Sequence, residues 1–268
     1  MIRKCNNEHL SEIIGYIGED YPKCLYLYLD AVKYRCSSDT TRTWMQTLDG
    51  EMTAVALAYH TALHVFSRSN DLDVMEICEL VKEIKPTMVN ATADIIRKLE
   101  PILKQYGFLS EFGHIGEWMG NSCDVNDSEV SIANEKDIQE VAKLLYEDDD
   151  IGASYIFEDL LKQMQDRIKE GYVRSYVLHK NNEVVAHVGT GAEINDVCTI
   201  AYTITSPKYR GQGLASRLYT YSCSRLKGEG KRIFSIYYPE SARAFHHKMG
   251  FVDICRYGKL YKKHLSGR

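Results

Sequence analysis

The sequence predicts an α/β fold, a mixed sheet flanked by helices. Three observations carry this. Strand-like and helix-like stretches alternate along the 268 residues. Two turn signals, Asp49-Gly50 and Lys180-Asn181-Asn182, each join a pair of strand-like runs, as antiparallel hairpins require. The stretch from Cys198 to Lys227 reads as strand, proline-containing turn, glycine loop and helix.

Taken in order, residues 8–36 are helix-rich. Leu10, Ile13, Ile14 and Ile17 give one apolar face, Leu25, Tyr28, Leu29 and Val32 give another, and Pro22 separates them. Strands are expected over Thr43–Leu48, Met52–Ala58 and Leu63–Phe66, a helix over Val74–Ile84, a short strand over Thr87–Asn90 and a helix over Thr92–Tyr106 ending at Gly107-Phe108. From Gly113 to Ser128, Gly113, Gly116, Gly120, Asn121, Asp124, Asn126 and Asp127 predict a loop and the domain boundary. Beyond it come a strand at Glu129–Ile132, a helix at Glu135–Tyr146, an acidic run at Glu147-Asp148-Asp149-Asp150 and a helix at Tyr155–Glu170. The run reads as solvated surface, and it would also attract a cationic substrate. The second hairpin, Val173–His179 and Val184–Gly189, precedes a strand at Cys198–Ile204. A helix at Leu214–Lys227, a strand at Arg232–Tyr238, a helix ending at Gly250-Phe251 and two strands, Asp253–Tyr257 and Lys259–Lys262, complete the chain.

The same order occurs twice: helices, hairpin, third strand, helix, short strand, helix, Gly-Phe. This is a weak internal repeat and predicts two domains, over 1–120 and 129–268. The copies differ after the third strand. The second has Arg210 to Ser216 with two glycines; the first has Ser67-Arg68-Ser69-Asn70-Asp71-Leu72-Asp73, without glycine and with two carboxylates at the helix start. Such carboxylates cap a helix and repel a phosphate. Glycines at 211 and 213 instead let a ligand approach the backbone. The first N–H groups of the helix behind them have no partner inside the helix and face it with positive potential. Such a loop suits a phosphate or pyrophosphate.

Pro207, Tyr209, Arg210, Gly211, Gly213 and Ala215 together resemble the R-x-x-G-x-A acyl-CoA loop of the GNAT superfamily of N-acyltransferases. Ala242-Arg243-Ala244-Phe245-His246-His247-Lys248-Met249-Gly250-Phe251 resembles the family's later helix. The resemblance covers the last half of the chain. It implies a mostly antiparallel central sheet, two tandem GNAT-like domains of which the first has lost the loop, and acetyl-CoA as cosubstrate. By the same resemblance, Thr203, Ile204 and Thr205 would pair with the pantetheine arm, and Arg210, Gly211, Gln212, Gly213, Leu214, Ala215 and Ser216 would cradle the pyrophosphate.

Acyl transfer to an amine also needs a neutral amine, a donor for the developing oxyanion and an acid for the leaving thiolate. Many GNAT enzymes place a tyrosine four residues before the Gly of the Gly-Phe pair, where this chain has His246. Asparagine is frequent seven residues earlier, where it has Pro239. Histidine can serve as acid or base near neutral pH; the alternative is a solvated helix histidine beside His247. For the base, the strand at 198–204 carries no carboxylate, so the candidates are Glu193 and Asp196, then His187. Cys198 and Cys223 read as core thiols, since direct transfer needs no enzyme nucleophile.

A net charge of −4 gives no reason to expect nucleic acid or an anionic membrane. The eight cysteines form no C-x-x-C pair, and no metal spacing involves the nine histidines. With no secretory segment after Met1 and no long apolar run, a reduced, cytoplasmic location is expected. The expected function is N-acetyl transfer from acetyl-CoA to a primary amine. The layout, similar to glycine N-acyltransferase-type members, points to a small-molecule or amino-acid acceptor, and a homodimer is an admissible assembly. The alternatives are a non-catalytic acyl-CoA sensor or scaffold and a phosphate-only nucleotide site. The absence of G-x-x-x-x-G-K-[ST] opposes the last.

Overall fold

The computed structural model describes residues 1–121, 127–149, 151–152 and 156–262. Cys123, Asp124, Asn126, Asp150 and Tyr155, which carried sequence expectations, lie outside the described residues. The first half runs β1 (Ile2–Lys4), α1 (Leu10–Ile17), α2 (Leu25–Tyr34), β2 (Thr41–Leu48), β3 (Glu51–Tyr59), β4 (Ala62–Phe66), α3 (Val74–Ile84), β5 (Met88–Thr92), α4 (Ala93–Leu103) and β6 (Leu109–Trp118). The second repeats the plan with β7 (Val130–Ile132), α5 (Glu135–Glu147), α6 (Phe157–Lys169), β8 (Ser175–Lys180), β9 (Glu183–Glu193), β10 (Val197–Thr205), α7 (Leu214–Gly228), β11 (Arg232–Tyr237), α8 (Glu240–Lys248) and β12 (Phe251–Tyr261). This is the α/β fold expected, a mostly antiparallel sheet with flanking helices. Both hairpin turns form as their residues dictate. Asp49 and Gly50, and likewise Asn181 and Asn182, have positive φ, the conformation that matches the strand twist.

Two compact units result. The first comprises Met1–Ile115, Tyr237–Arg243 and the described residues from Asp253 onward; the second comprises Gly116–Ile236 and Ala244–Val252. In the first, strands run in the order β1-β2-β3-β4-β5-β12, antiparallel except for β4 beside β5. The chain's last strand is therefore part of the first unit. Tyr257 to Tyr261 pair with Thr92 to Met88, and Leu260 packs with Val65, Ile77, Ile95 and Leu99. In the second unit β7-β8-β9-β10-β11 are antiparallel except for β10 beside β11. One face is covered by α7 through Leu218, Tyr219 and Cys223. The other is covered by α5 and α6 through Val141, Leu145 and Leu160.

Two expectations are corrected. The glycine-containing stretch from Gly113 is not loop as far as Trp118, because it continues β6. Gly113 is there because the Tyr237 carbonyl occupies the place a Cβ would take. Nor does Gly258 divide the end of the chain into two strands. Ile96 and Phe112 come within 3.1 Å of where its Cβ would stand, so the glycine admits neighbours inside one continuous β12.

The first unit closes the places that the second leaves open. Asp73 caps α3, accepting from the Met75 and Glu76 N–H groups at 2.9 and 3.2 Å, while its own N–H donates to the buried Gln46 Oε1. Asp73→Ala is expected to cost about 1 kcal/mol, the usual value of a lost side-chain cap. A urea midpoint unchanged from wild type would show that the cap contributes nothing. The segment Gly18–Cys24, a 3-10 helix, packs against β4 and β5, which pair only from Ala62↔Met88 to His64↔Asn90. Arg68, just past β4, is held by Tyr16 and by Asp20.

Candidate active site

Strands β10 and β11 pair in parallel from Val197↔Arg232 to Ile200↔Ser235 and then part, although β10 continues to Thr205. Their divergence leaves the backbone of residues 201–205 unpaired on that side. A short 3-10 turn at Pro207–Tyr209 follows, Gly211 and Gly213 adopt φ of 78° and 75°, and α7 begins. Such φ values are costly for any residue with a Cβ, and nothing lies within 4 Å of where either Cβ would stand. The loop is open above. No side chain caps α7, so its first N–H groups point outward unclaimed by any side chain, in contrast to α3.

Thr203, Ile204, Thr205, Arg210, Gly211, Gly213, Leu214, Ala215 and Ser216 line one cavity of about 320 Å³, with Tyr209 and Asp148. Gln212 lies beside it, accepting from Lys180 Nζ at 3.0 Å. Leu214 is also core, 6% exposed. These features fit a pyrophosphate: glycines in the left-handed region, an open approach, a 15-residue helix with an uncapped start, and cations at Arg210 and Lys180.

One partner was not legible in the sequence. Asp148, from the acidic run, accepts from Arg210 Nη2 at 3.1 Å, while Arg210 Nε donates to the Thr205 carbonyl at 3.2 Å. The arginine is thus fixed beside the loop with its charge partly matched. Glu147, Asp148 and Asp149 also line a neighbouring cavity of about 240 Å³ with Ile204, Pro207 and Arg210. The acidic run thus adjoins the loop, a proximity that sequence separation conceals.

His246 does not stand on the solvent face of α8. Its Nε2 lies 2.9 Å from Ser235 Oγ, and its ring meets Tyr219 and Phe251 edge to face at 5.6 and 5.4 Å. Ser235 Oγ donates to the Ile200 carbonyl at 3.2 Å, so the hydroxyl accepts from an Nε2–H. Ser235 and Ile200 are the last pair before the strands part. The imidazole is therefore connected, through one hydroxyl, to the apex of the divergence. His247 is exposed.

Glu193 and Asp196 are not brought to this place. Glu193 ends β9 opposite Cys198, and Asp196 immediately precedes β10, so both stand about 25 Å of strand from Thr205. Glu193 takes a two-point ion pair from Arg174, at 2.9 and 2.8 Å, and lies 3.6 Å from Lys231. Asp196 is an exposed turn residue whose carbonyl accepts from the Arg232 N–H. Cys198 and Cys223 are buried thiols whose pKa values burial pushes up, the opposite of an activated nucleophile. Among the described residues no group of three or more His, Cys, Asp or Glu side chains could hold a metal, and no helix is long and apolar enough to cross a membrane.

Replacing His246 by phenylalanine tests its connection to Ser235. If the imidazole supplies the proton to the departing thiolate, turnover should fall about 10- to 100-fold while acetyl-CoA affinity changes little. Steady-state turnover equal to wild type would reduce His246 to a packing residue.

Residues 138–251 match the model of the Acetyltransferase (GNAT) family. No curated protein sequence matches the chain. Among solved structures it is similar to a Drosophila protein at TM-score 0.70, with 11% identity over 97% of this chain and 98% of that one. A GCN5-related N-acetyltransferase from Sphaerobacter thermophilus aligns at TM-score 0.63 and 13% identity, over 98% of this chain and 95% of that one. A tandem GNAT protein from the clavulanic acid biosynthesis pathway aligns at 0.60 and 12%, over 98% of each. At these identities the likeness is one of fold, and it spans both halves. An open glycine loop before an uncapped helix, beside two diverging strands, thus falls inside residues 138–251, the segment of the chain that is similar to the acetyltransferase (GNAT) family.

Proposed function

We propose that this protein is an N-acetyltransferase that moves an acetyl group from acetyl-CoA directly to a primary amine on a small molecule or amino acid. The observation that carries the reading is the single cavity lined by Thr203–Thr205 and the loop from Arg210 to Ser216. Acetyl-CoA, when bound, supplies the acetyl group as a thioester. The N–H groups at the start of α7 and the glycine loop receive the pyrophosphate, with Arg210 and Lys180 adding positive charge. Because Asp148 already engages Arg210, the backbone carries most of this recognition.

The unpaired edge of β10 offers its backbone to the pantetheine arm and the acyl carbonyl. His246 in its imidazolium form would act as the acid through Ser235: its Nε2–H passes to Ser235 Oγ as the hydroxyl's own proton leaves the Ile200 carbonyl for the departing thiolate, and the neutral imidazole is reprotonated from solvent. The carboxylates of Glu147, Asp148 and Asp149 favour a cationic amine at the adjoining cavity, where proximity to the thioester contributes most of the acceleration. With Glu193 tied to Arg174 and Lys231 and Asp196 at the far end of β10, the amine loses its proton to solvent within the cavity. The first half, with α3 capped by Asp73 and Gly18–Cys24 packed at its diverging strands, serves as support. The location is cytoplasmic, and a homodimer is compatible with the reading.

The test is calorimetric titration with acetyl-CoA, ATP and NAD separately, followed by thiol release with a panel of primary amines. Saturable binding of acetyl-CoA alone and turnover with an amine are expected. Binding without turnover across the panel would make the protein an acyl-CoA sensor, and no binding would remove the acyl-CoA reading.

A further inference from the structure

The second unit contains a distortion that its first-unit counterpart lacks. In the β3–β4 pair the register runs without interruption from Val55↔Phe66 to Tyr59↔Ala62. In the β9–β10 pair it jumps between Ala201↔Gly189 and Ile204↔His187, so Tyr202 and Thr203 together oppose Val188 alone. This is a β-bulge, and Tyr202 occupies it with a φ of 55°, a left-handed conformation that a tyrosine adopts only when its surroundings enforce it. The bulge immediately precedes Thr203–Thr205, the backbone that lines the candidate cavity.

What enforces it is visible. His187, on β9 and 1% exposed, places Nδ1 2.7 Å from the Tyr202 carbonyl and so donates its proton to the bulged peptide. Its Nε2 is buried without a hydrogen-bond partner. It faces a cavity of about 20 Å³ lined by Gln163, Met164, Ser175, Thr190 and Tyr202, room for one water. Gly189 completes the arrangement: a Cβ there would stand 3.0 Å from His187 Cε1 and 3.4 Å from Nε2, so the glycine leaves space for the imidazole. An aliphatic residue at 187 would satisfy this packing without burying an unpaired nitrogen. The retained imidazole therefore points to a use for its Nδ1–H.

We infer that His187 is a positioning residue for acyl transfer: its Nδ1–H holds the Tyr202 carbonyl, fixes the bulge, and thereby aims the backbone of Thr203–Thr205 at the acyl group. The inference rests on the acyl-transfer reading for its functional part, but the clamp itself is a statement about structure that can be tested separately. His187 touches no substrate; it acts through β10.

Two polar substitutions separate the donor position from mere polarity. His187→Asn keeps a donor where Nδ1 stands, and His187→Gln moves the amide to the position of Nε2. The Asn variant should keep kcat within about threefold of wild type. The Gln variant should lose kcat about tenfold or more with little change in the KM for acetyl-CoA, because a shifted backbone misplaces the acyl carbonyl. Amide hydrogen exchange over residues 200–206 gives the second readout, with protection kept in Asn and lost in Gln. Equal kcat in the two variants, or equal exchange, would overturn the inference. If wild-type protein turns over no amine, the acyl-transfer reading fails on its own account. The exchange comparison still decides whether His187 holds the bulge.

Discussion

Gly213→Asp is expected to weaken acetyl-CoA binding by about 100-fold or more while leaving the protein folded. The internal repeat provides the precedent. At the start of α3 the Asp73 carboxylate accepts two backbone N–H groups and closes the helix end, whereas at the start of α7 Gly213 leaves them uncapped. The substitution installs in the second half the device that the first half already has. A carboxylate there competes for the N–H groups that would bind the pyrophosphate and repels its charge, two losses of ~1–2 kcal/mol each at a partly buried helix terminus. The φ of 75° imposes a strain of about 1 kcal/mol, which aspartate tolerates better than most residues, and the space above the loop is open, so no clash accompanies it. Gly213→Ala carries the strain without the charge and should lose far less affinity. Calorimetry on both variants checks this. Equal affinity of Gly213→Asp and wild type would dismiss the loop as a cofactor site, and equal loss in both variants would assign the effect to backbone strain.

The loop could be read from the sequence because its chemistry is local: glycines before an amphipathic helix, and a proline turn before them. The hairpins were legible for the same reason, since Asp49-Gly50 and Asn181-Asn182 are residue types that tolerate the positive φ a tight hairpin turn requires. Glycines with ordinary φ misled. Gly113 and Gly258 suggested loop and break, yet both lie within strands because another part of the chain presses against them. A glycine that turns and a glycine that makes room look alike until the neighbour is known. Non-local pairing hid the rest. Nothing near Glu193 announces that Arg174 and Lys231 will claim it, and nothing near Tyr257 announces that β12 will pair with β5. The bulge at Tyr202 was equally hidden, since its cause is a histidine on another strand.

Acidification from pH 6.5 to 4 is expected to destabilise the protein through two buried histidines, one in each unit. His64, on β4 and 6% exposed, lies with its ring 5.8 Å from that of Tyr26, and its Nδ1 has no hydrogen-bond partner. Burial alone lowers its pKa from 6.5 to about 4. Burial likewise lowers that of His187 to about 4, although the Tyr202 carbonyl partly opposes it by favouring the charged ring. The unfolded chain takes up a proton at each histidine near pH 6.5, and the folded chain does not until about pH 4. Each neutral imidazole therefore contributes stability that is fully present above pH 6.5 and is lost as pH falls through that interval. The loss approaches ~3 kcal/mol per group, on the order of the whole margin of a small unit. His64→Leu should be less stable than wild type near neutrality only by its packing change, but should lose about 2 kcal/mol less between pH 7 and pH 4.5. Urea unfolding at the two pH values measures the difference. A variant whose stability falls with pH as steeply as wild type would mean that His64 already carries a proton in the folded state, and that its burial in the first unit is incomplete.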